Sequence, residues 1–377
     1  MEMKCVVNKH SVRKNNALKI AQKKARKYYQ EKIIMKAPNA TKLKIRKLAD
    51  LGKVDYIAIS NIELLEKKKE VQLSKEELIA LCREGGLTGR SGNGFDVSRK
   101  LEAFHKKSGT LIINAVECDP GLVTDSWLYR NKQSFIQQGA TIIKNALCLD
   151  KVILATKEPL QTIDAIQQVK VVDRFPMGYE NYLIQYVLGV TLAENELPQD
   201  KGILVMNLQT VIAIAELTQN VMAGQYKYIT VSNLFTAEAK VVRVRIGDCV
   251  QEVVESCFPQ SVRNTNSIYA GGGAFTCHKV ITGERILDTT GYIAIGEMPN
   301  YEEAGKCKGC GACTKNCPSN VVVHKIIQYV DKNGMSMASN CKDFNPTACI
   351  GCGACTYSCM AGKDVREVVM WAKMELS

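Results

Sequence analysis

From about residue 72 the apolar positions fall into short blocks that alternate between two periods. Ser74-Lys-Glu-Glu77 has the form of a capping box and predicts a short helix through Cys82, stopped by Gly85 and Gly86. A Gly-rich loop follows, Gly89-Arg-Ser-Gly92-Asn-Gly94-Phe95, with a helix predicted over 96–104. A continuous apolar run at 111–116 reads as a buried strand, followed by a long helix at about 131–148 and a strand at 152–156. Another strand, 203–207, leads into a helix at 209–222. This alternation predicts an α/β layer with a parallel sheet. From about 226 the texture changes. Strands at 228–232 and 240–246, a helix at 249–257 and a strand at 267–271 ending in Gly271-Gly-Gly273 predict a small α+β module. The expected organisation is an arm at 1–70, an α/β domain at 71–225, the α+β module at 226–300 and a Cys-rich segment at 301–377.

Composition narrows the class. The chain has 377 residues, 46% hydrophobic and 23% charged, which excludes collagen-like, mucin-like and wholly disordered chains. No run approaches the ~20 apolar residues of a bilayer span. The most apolar stretch, 202–217, is interrupted by Asn207, Gln209 and Thr210. No signal peptide is legible from Met1 to Cys5. The net charge of +12 is local: residues 1–50 hold fifteen Lys or Arg against three acids, and the other 327 hold 35 of each sign. The arm, with a helix expected near 15–30, reads as a solvated helix or as a docking surface for an acidic partner protein. It lacks the aromatic interleaving of a nucleic-acid platform, and no nucleic-acid partner is expected.

Nine of sixteen cysteines crowd into 307–377, which favours metal ligation over disulfides. Cys307-x2-Cys310-x2-Cys313-x3-Cys317-Pro318 is repeated, without the proline, as Cys349-x2-Cys352-x2-Cys355-x3-Cys359. This doubled run is the spacing of two 4Fe–4S clusters. Three thiolates three residues apart wrap one cube, small residues between them let backbone N–H groups approach sulfur, and the fourth cysteine points to the other cube. Cys307, Cys310, Cys313 and Cys359 are therefore assigned to one cluster, and Cys349, Cys352, Cys355 and Cys317 to the other. Zinc is the competing reading, but it prefers two pairs of ligands. Cys341 is read as a non-ligand. Cys5, Cys82, Cys148, Cys249 and Cys257 are read as buried small hydrophobes, and Cys118 and Cys277 lie in loops.

The glycine loop opens a helix, as an anion site does, with Arg90 and Lys100 adding charge; a tight connector is the plainer alternative. Strand 111–116 ends in Asn114-Ala-Val-Glu117-Cys-Asp119-Pro120, with Asp125 beyond. Polar groups at the carboxyl end of a parallel strand suit the edge of a flavin or a ribose, or simply cap a helix.

These pieces, in this order, resemble the C subunit of Rnf-type electron-transport complexes and its relatives, among them the flavin subunit of respiratory complex I and a cobalamin reductase. The resemblance spans roughly residues 75–365. It rests on the glycine loop with Lys100, on Asn114 to Pro120 with Asp125, on Arg174-Phe-Pro-Met-Gly178-Tyr-Glu180, on Val205-Met-Asn207-Leu-Gln-Thr210, on Tyr269-Ala-Gly-Gly-Gly273 and on the paired cysteine runs. It implies a complex I-like flavin-binding parallel-sheet domain, a β-grasp module and a helical and loop domain with two 4Fe–4S clusters. It also implies an FMN that takes a hydride from NADH and passes electrons singly to the clusters. By resemblance, Gly89, Arg90, Gly92, Gly94, Lys100, Asn114, Asn207 and Thr210 would hold the flavin. Glu117, Asp125 and Glu180 would face the flavin or the nicotinamide nucleotide. The implied protein is an oxidoreductase subunit of an anaerobic, cytoplasmic hetero-complex, reaching a membrane only through partners. The alternative is a flavin-less iron–sulfur relay, for example a donor to a cobalamin or amino-acid reductase.

Overall fold

In a computed structural model of the chain, the described residues are 54–59, 64 and 71–376, apart from 93, 118, 194–195, 263–266 and 298–304. The helix expected near 15–30 lies outside them, as do Cys5, Asn93 and Cys118. Within the segment expected as an arm, Asp55–Ala58 is a strand, β1.

The capping box forms as the spacing requires: Ser74 Oγ accepts from Glu77 N–H, and Glu77 accepts from Ser74 N–H, opening α1 (Lys75–Glu84). After the glycine loop comes α2 (Val97–Glu102), whose N-cap is Asp96. The parallel sheet consists of β2 (Thr110–Ala115), β3 (Lys151–Thr156), β4 (Gln167–Lys170) and β5 (Ile203–Asn207), ordered β4-β3-β2-β5. Strand β4 escapes the sequence reading because Gln167, Gln168 and Lys170 hide the apolar signal at an exposed edge. Successive residues of β2 face opposite layers. Leu111 and Ile113 pack with α3 (Thr124–Asn131), α4 (Gln133–Ala146) and, later in the chain, the helix that follows β5. Ile112 packs with α5 (Glu180–Leu188) on the other side. A strand covered on both faces reads as an unbroken apolar run, which makes it visible in the sequence.

Two expected helices differ in extent. The one expected at 131–148 is α4, and α3, set off from it at Lys132 with a non-helical φ of -125°, lies before the expected range. The one expected at 209–222 is α6 (Leu208–Leu217), buried along its whole length, followed by a 3-10 turn at Val221–Gln225.

The second sheet is mixed. Strands β6 (Tyr226–Asn233) and β7 (Glu238–Arg245) form a hairpin, and α7 (Val250–Cys257) with α8 (Pro259–Val262) crosses over it. Strands β8 (Ile268–Gly271), β9 (His278–Lys279) and β10 (Tyr292–Ile295) complete the order β1-β7-β6-β10-β8-β9. The central β10 runs parallel to β6, the β-grasp arrangement. Strand β1 extends its edge by parallel pairing with β7, a long-range contact that local sequence does not announce.

The C-terminal module carries α9 (Ala312–Lys315), α10 (Val323–Asn333), α11 (Ala354–Tyr357) and α12 (Val365–Met374). Among the described residues no helix is long and apolar enough to cross a membrane.

Candidate functional site

The carboxyl ends of β2 and β5 open onto a cavity of about 500 Å³, within the usual size of small-molecule sites. Ten of the eleven residues expected at a cofactor line it: Gly89, Arg90, Gly92, Lys100, Asn114, Glu117, Asp125, Glu180, Asn207 and Thr210. The eleventh, Gly94, does not; it faces Asp288 and Thr289.

Each polar wall residue is held by a specific bond. Asn114 Nδ2 donates to Gly178 O at 2.7 Å, while its Oδ1 accepts from Val116 N–H. Asn207 caps α6 through Gln209 N–H and donates Nδ2 to Asp125 Oδ2 at 3.0 Å. Glu117 accepts from the N–H groups of Asp125 and Ser126, at the start of α3. Lys100 pairs with Glu180 at 3.0 Å, joining α2 to α5 at the cavity wall. Thr210 Oγ1 accepts from Arg90 N–H at 3.0 Å, which ties the glycine loop to α6.

Arg90 differs from its expected use. Its guanidinium is buried, donates to Gly224 O, Tyr226 O and Thr88 Oγ1, and lies 3.5 Å from Asp288. It props the loop against the β-grasp sheet. Beside it, Lys227 donates to Asp288 O, and burial together with the Arg90 charge pushes its amine down to about 7. Asp96, at the end of the glycine loop, caps α2: its carboxylate accepts from Ser98 N–H, Ser98 Oγ and Arg99 N–H.

The acids form the electrostatic centre. Burial raises the pKa of Glu117, against the pull of Lys157 and of backbone donors. Burial and the Glu117 charge raise Asp125 well above the carboxylate range, and they push Asp119 up to about 7. Carboxylates this close cannot all ionise in a poorly solvated wall, so the group retains a proton near neutrality. A raised folded-state pKa contributes stability that is complete below the unfolded value of about 4 and is lost as pH rises through the folded value. Asp125→Asn is therefore expected to match the parent in urea midpoint near pH 4 and to exceed it increasingly towards pH 8. A parallel pair of curves would refute the retained proton.

The sequence reading missed the far wall. Gly272, Gly291 and Tyr228, all from the β-grasp module, close the cavity. A Cβ at Gly273 would run into the Asp119 carboxyl, and one at Gly271 into the Thr276 carbonyl, so neither position admits a side chain.

The cysteines of the two runs lie in two groups. Cys307, Cys310, Cys313 and Cys359 line one small cavity with Lys308, His324 and Met360. In the other set, burial and then the nearby Cys317 and Cys349 push the Cys352 thiol up to about 12, and burial with Cys352, Cys349 and Cys317 raises Cys355. The two loops are conformational copies. Gly309, Gly311, Gly351 and Gly353 have φ of +66°, +71°, +68° and +78°, a region that side chains disfavour. In each loop the first glycine N–H donates to a cysteine sulfur, Gly309 to Cys307 and Gly351 to Cys349, both at 3.4 Å. Among the described residues no three His, Cys, Asp or Glu converge on a single-ion site. Cys341 is buried in one core with Val321, Ile326 and Val369. Cys82 and Cys257 are buried as expected, Cys249 is half-buried, and Cys148, at a left-handed φ of 51° between buried Leu147 and Leu149, is exposed.

The cluster module touches the cavity domain through the set containing Cys352. Phe275, in the turn after Gly273, lies 4.9 Å from Tyr357 and 5.3 Å from Phe175, centroid to centroid. A Cβ on Gly353 would meet the Phe275 carbonyl, and Tyr182 Oη donates to Pro318 O at 3.1 Å. Asp119, in the cavity wall, adds its charge to the field at Cys352.

The residues fit a flavin mononucleotide. A glycine loop and Lys100 suit its phosphate, and amides, backbone groups and acids suit its polar edges. Two sets of four thiols fit two 4Fe–4S clusters.

Comparison with known proteins agrees. Residues 82–216 match the Nuo51 FMN-binding domain, and residues 306–363 match the 4Fe-4S dicluster domain. The chain is 26% identical over 276 residues to the C subunit of the ion-translocating oxidoreductase complex of Buchnera aphidicola subsp. Baizongia pistaciae, covering 68% of this chain and 54% of that protein. It is 25% identical over 262 residues to the C subunit of the proton-translocating ferredoxin:NAD(+) oxidoreductase complex of Clostridium ljungdahlii, covering 66% and 57%. To the Na(+)-translocating counterpart of Acetobacterium woodii it is 25% identical over 276 residues, covering 69% and 61%. The chain thus spans a little over half the length of these three relatives. In fold it is similar to a chain of an NAD+-reducing [NiFe]-hydrogenase, with a TM-score of 0.58 at 16% identity, over 81% of this chain and 63% of that one.

Proposed function

We propose that this chain is the electron-transfer subunit of a redox complex. It joins a Nuo51-like FMN-binding domain to a 4Fe-4S dicluster domain and is homologous to the C subunits of ion-translocating oxidoreductases. Electrons would pass between a nicotinamide nucleotide and partner subunits through FMN and the two clusters. The carrying observation is the turn at Gly272 and Phe275. It borders the cavity on one side and packs against the Cys352 loop on the other, so the two sites share a wall.

Gly89, Gly92, Lys100, Asn114, Asn207 and Thr210 would hold the flavin, and Glu117, Asp125 and Glu180 would face it or the nucleotide. When bound, the flavin supplies the conversion between electron pairs and single electrons. The chain's own contribution is positional. Asn207 and Thr210 fix the start of α6 and the glycine loop, and the buried acids hold a proton at the cavity wall. The β-grasp wall covers the site with Tyr228 and Gly272 and limits water. The Cys317, Cys349, Cys352 and Cys355 cluster is the one nearest the cavity; the other is the outer one. The subunit would work at the cytoplasmic face of a membrane complex, held there by partners.

A flavin-less relay is the second reading, with the chain as donor to a reductase. The cavity and its wall bonds speak against it. Purified without oxygen, the chain is expected to carry about eight irons and one FMN and to bleach on addition of NADH. Eight irons with no flavin after reconstitution would establish the relay instead.

A further inference from the structure

We propose that the outer cluster loop, residues 305–315, together with Met360, is the docking surface for an acidic protein that carries a single-electron centre. The inference rests on the electron-transfer reading above and names the partner's chemistry and its place.

The two cluster sets are not equivalent. The Cys352 set is turned inward against Phe275 and Tyr357. The other set opens outward: Cys310 is exposed, and Met360, on the same small cavity, is 73% exposed. Electrons leave or enter most readily at the centre a second protein can approach, and that is the outer cluster.

The charge around it selects the partner. From Gly305 to Val330 the sequence has four lysines and no acid; Glu302 and Glu303, just before, lie outside the described residues. Lys306, Lys308 and Lys315 are exposed, and none makes an ion pair among the described residues. Lys363, on the same cavity, is by contrast already paired with Asp331 at 2.8 Å. The inner loop, residues 349–355, carries no charged residue of its own, and the two cations that reach it, Arg366 and Lys373, donate to the carbonyls of Gly351 and Cys349. Beyond residue 50 the chain is neutral as a whole, so this excess is local. Unpaired lysines around one exposed, adaptable methionine suit a protein surface of opposite sign with a small apolar centre. One methionine is far less than the apolar stripe that lies in a lipid interface.

The test uses the full chain with both clusters and an acidic 2[4Fe-4S] ferredoxin as probe, with binding measured at low and high ionic strength. The triple variant K306E/K308E/K315E is expected to bind roughly tenfold more weakly or worse at low salt, with a shallower salt dependence than the parent. K106E/K107E/K170E, with the same charge change on exposed lysines of the flavin domain, is expected to stay within about twofold. Iron content and the electron paramagnetic resonance of the reduced clusters are read on every sample. Their absence from the parent chain would refute the electron-transfer reading, whereas binding reads the docking surface by itself. If the triple variant loses iron, K308E alone is read against K106E. No binding by the parent, equal effects in the two variants, or binding to anionic phospholipid vesicles but not to ferredoxin would overturn the proposal.

Discussion

Cys352→Ala is expected to leave a chain with about four irons instead of about eight, and electron delivery from the cavity to an external carrier should fall to background. The reason is placement. Cys352 belongs to the set with Cys317, Cys349 and Cys355, and its loop is the one that packs against Phe275. The outer set keeps all four of its thiols, so its cluster should still assemble and remain reducible by dithionite. Flavin content should be unchanged. The mirror variant, Cys310→Ala, should lose the outer cluster while the inner one is still reduced from the cavity side. Iron analysis with resonance spectra of both variants checks this. If Cys352→Ala still delivered electrons at the parent rate, the inner-to-outer order would be wrong.

Glu216→Ala should be the most destabilising single change outside the clusters. Glu216 on α6 is 2% exposed and Arg243 on β7 is 4% exposed, so their pairing at 3.4 Å joins the flavin-binding layer to the β-grasp sheet inside the protein. Tyr228 Oη donates to the same carboxylate at 2.9 Å, and the Arg243 guanidinium lies over the rings of Tyr226 and Tyr228. Removing the acid strands a buried cation and a buried hydroxyl at once. The expected loss is about 3–5 kcal/mol, read as a Tm drop of about 10 °C. Replacing both partners with methionine should recover much of that loss, because the desolvated charge disappears with its partner. A double variant as unstable as the single one would mean that packing, and not the stranded charge, carries the effect.

What the sequence could reveal depended on how local the signal was. The capping box at Ser74 involves four consecutive residues, and it forms as read. Strands β2, β3 and β5 are buried on both faces, so their apolar runs stand out; β4 lies at an edge with three polar residues and was silent. Helix α3 and the early end of α6 depend on packing that no residue type marks. In the site, Asn114 and Asn207 were legible because each lies at the end of a strand, and Lys100 and Thr210 because they hold motif positions in the helices after the glycine loop and β5. Gly272, Gly291 and Tyr228 were not, since they reach the cavity from another sheet. Arg90 was legible as a site residue, but the use of its side chain was not, because its partners Gly224 and Tyr226 lie more than a hundred residues away.

By itself the sequence marked the eight cysteines of the doubled run and the glycines between them, because such a run is written in short fixed spacings. Only the tertiary structure decided which cysteine group lies towards the cavity and which towards solvent, which acids are buried together, and that a second sheet closes the cavity. Those properties depend on burial and on approach between distant segments, and both arise only when the layers pack.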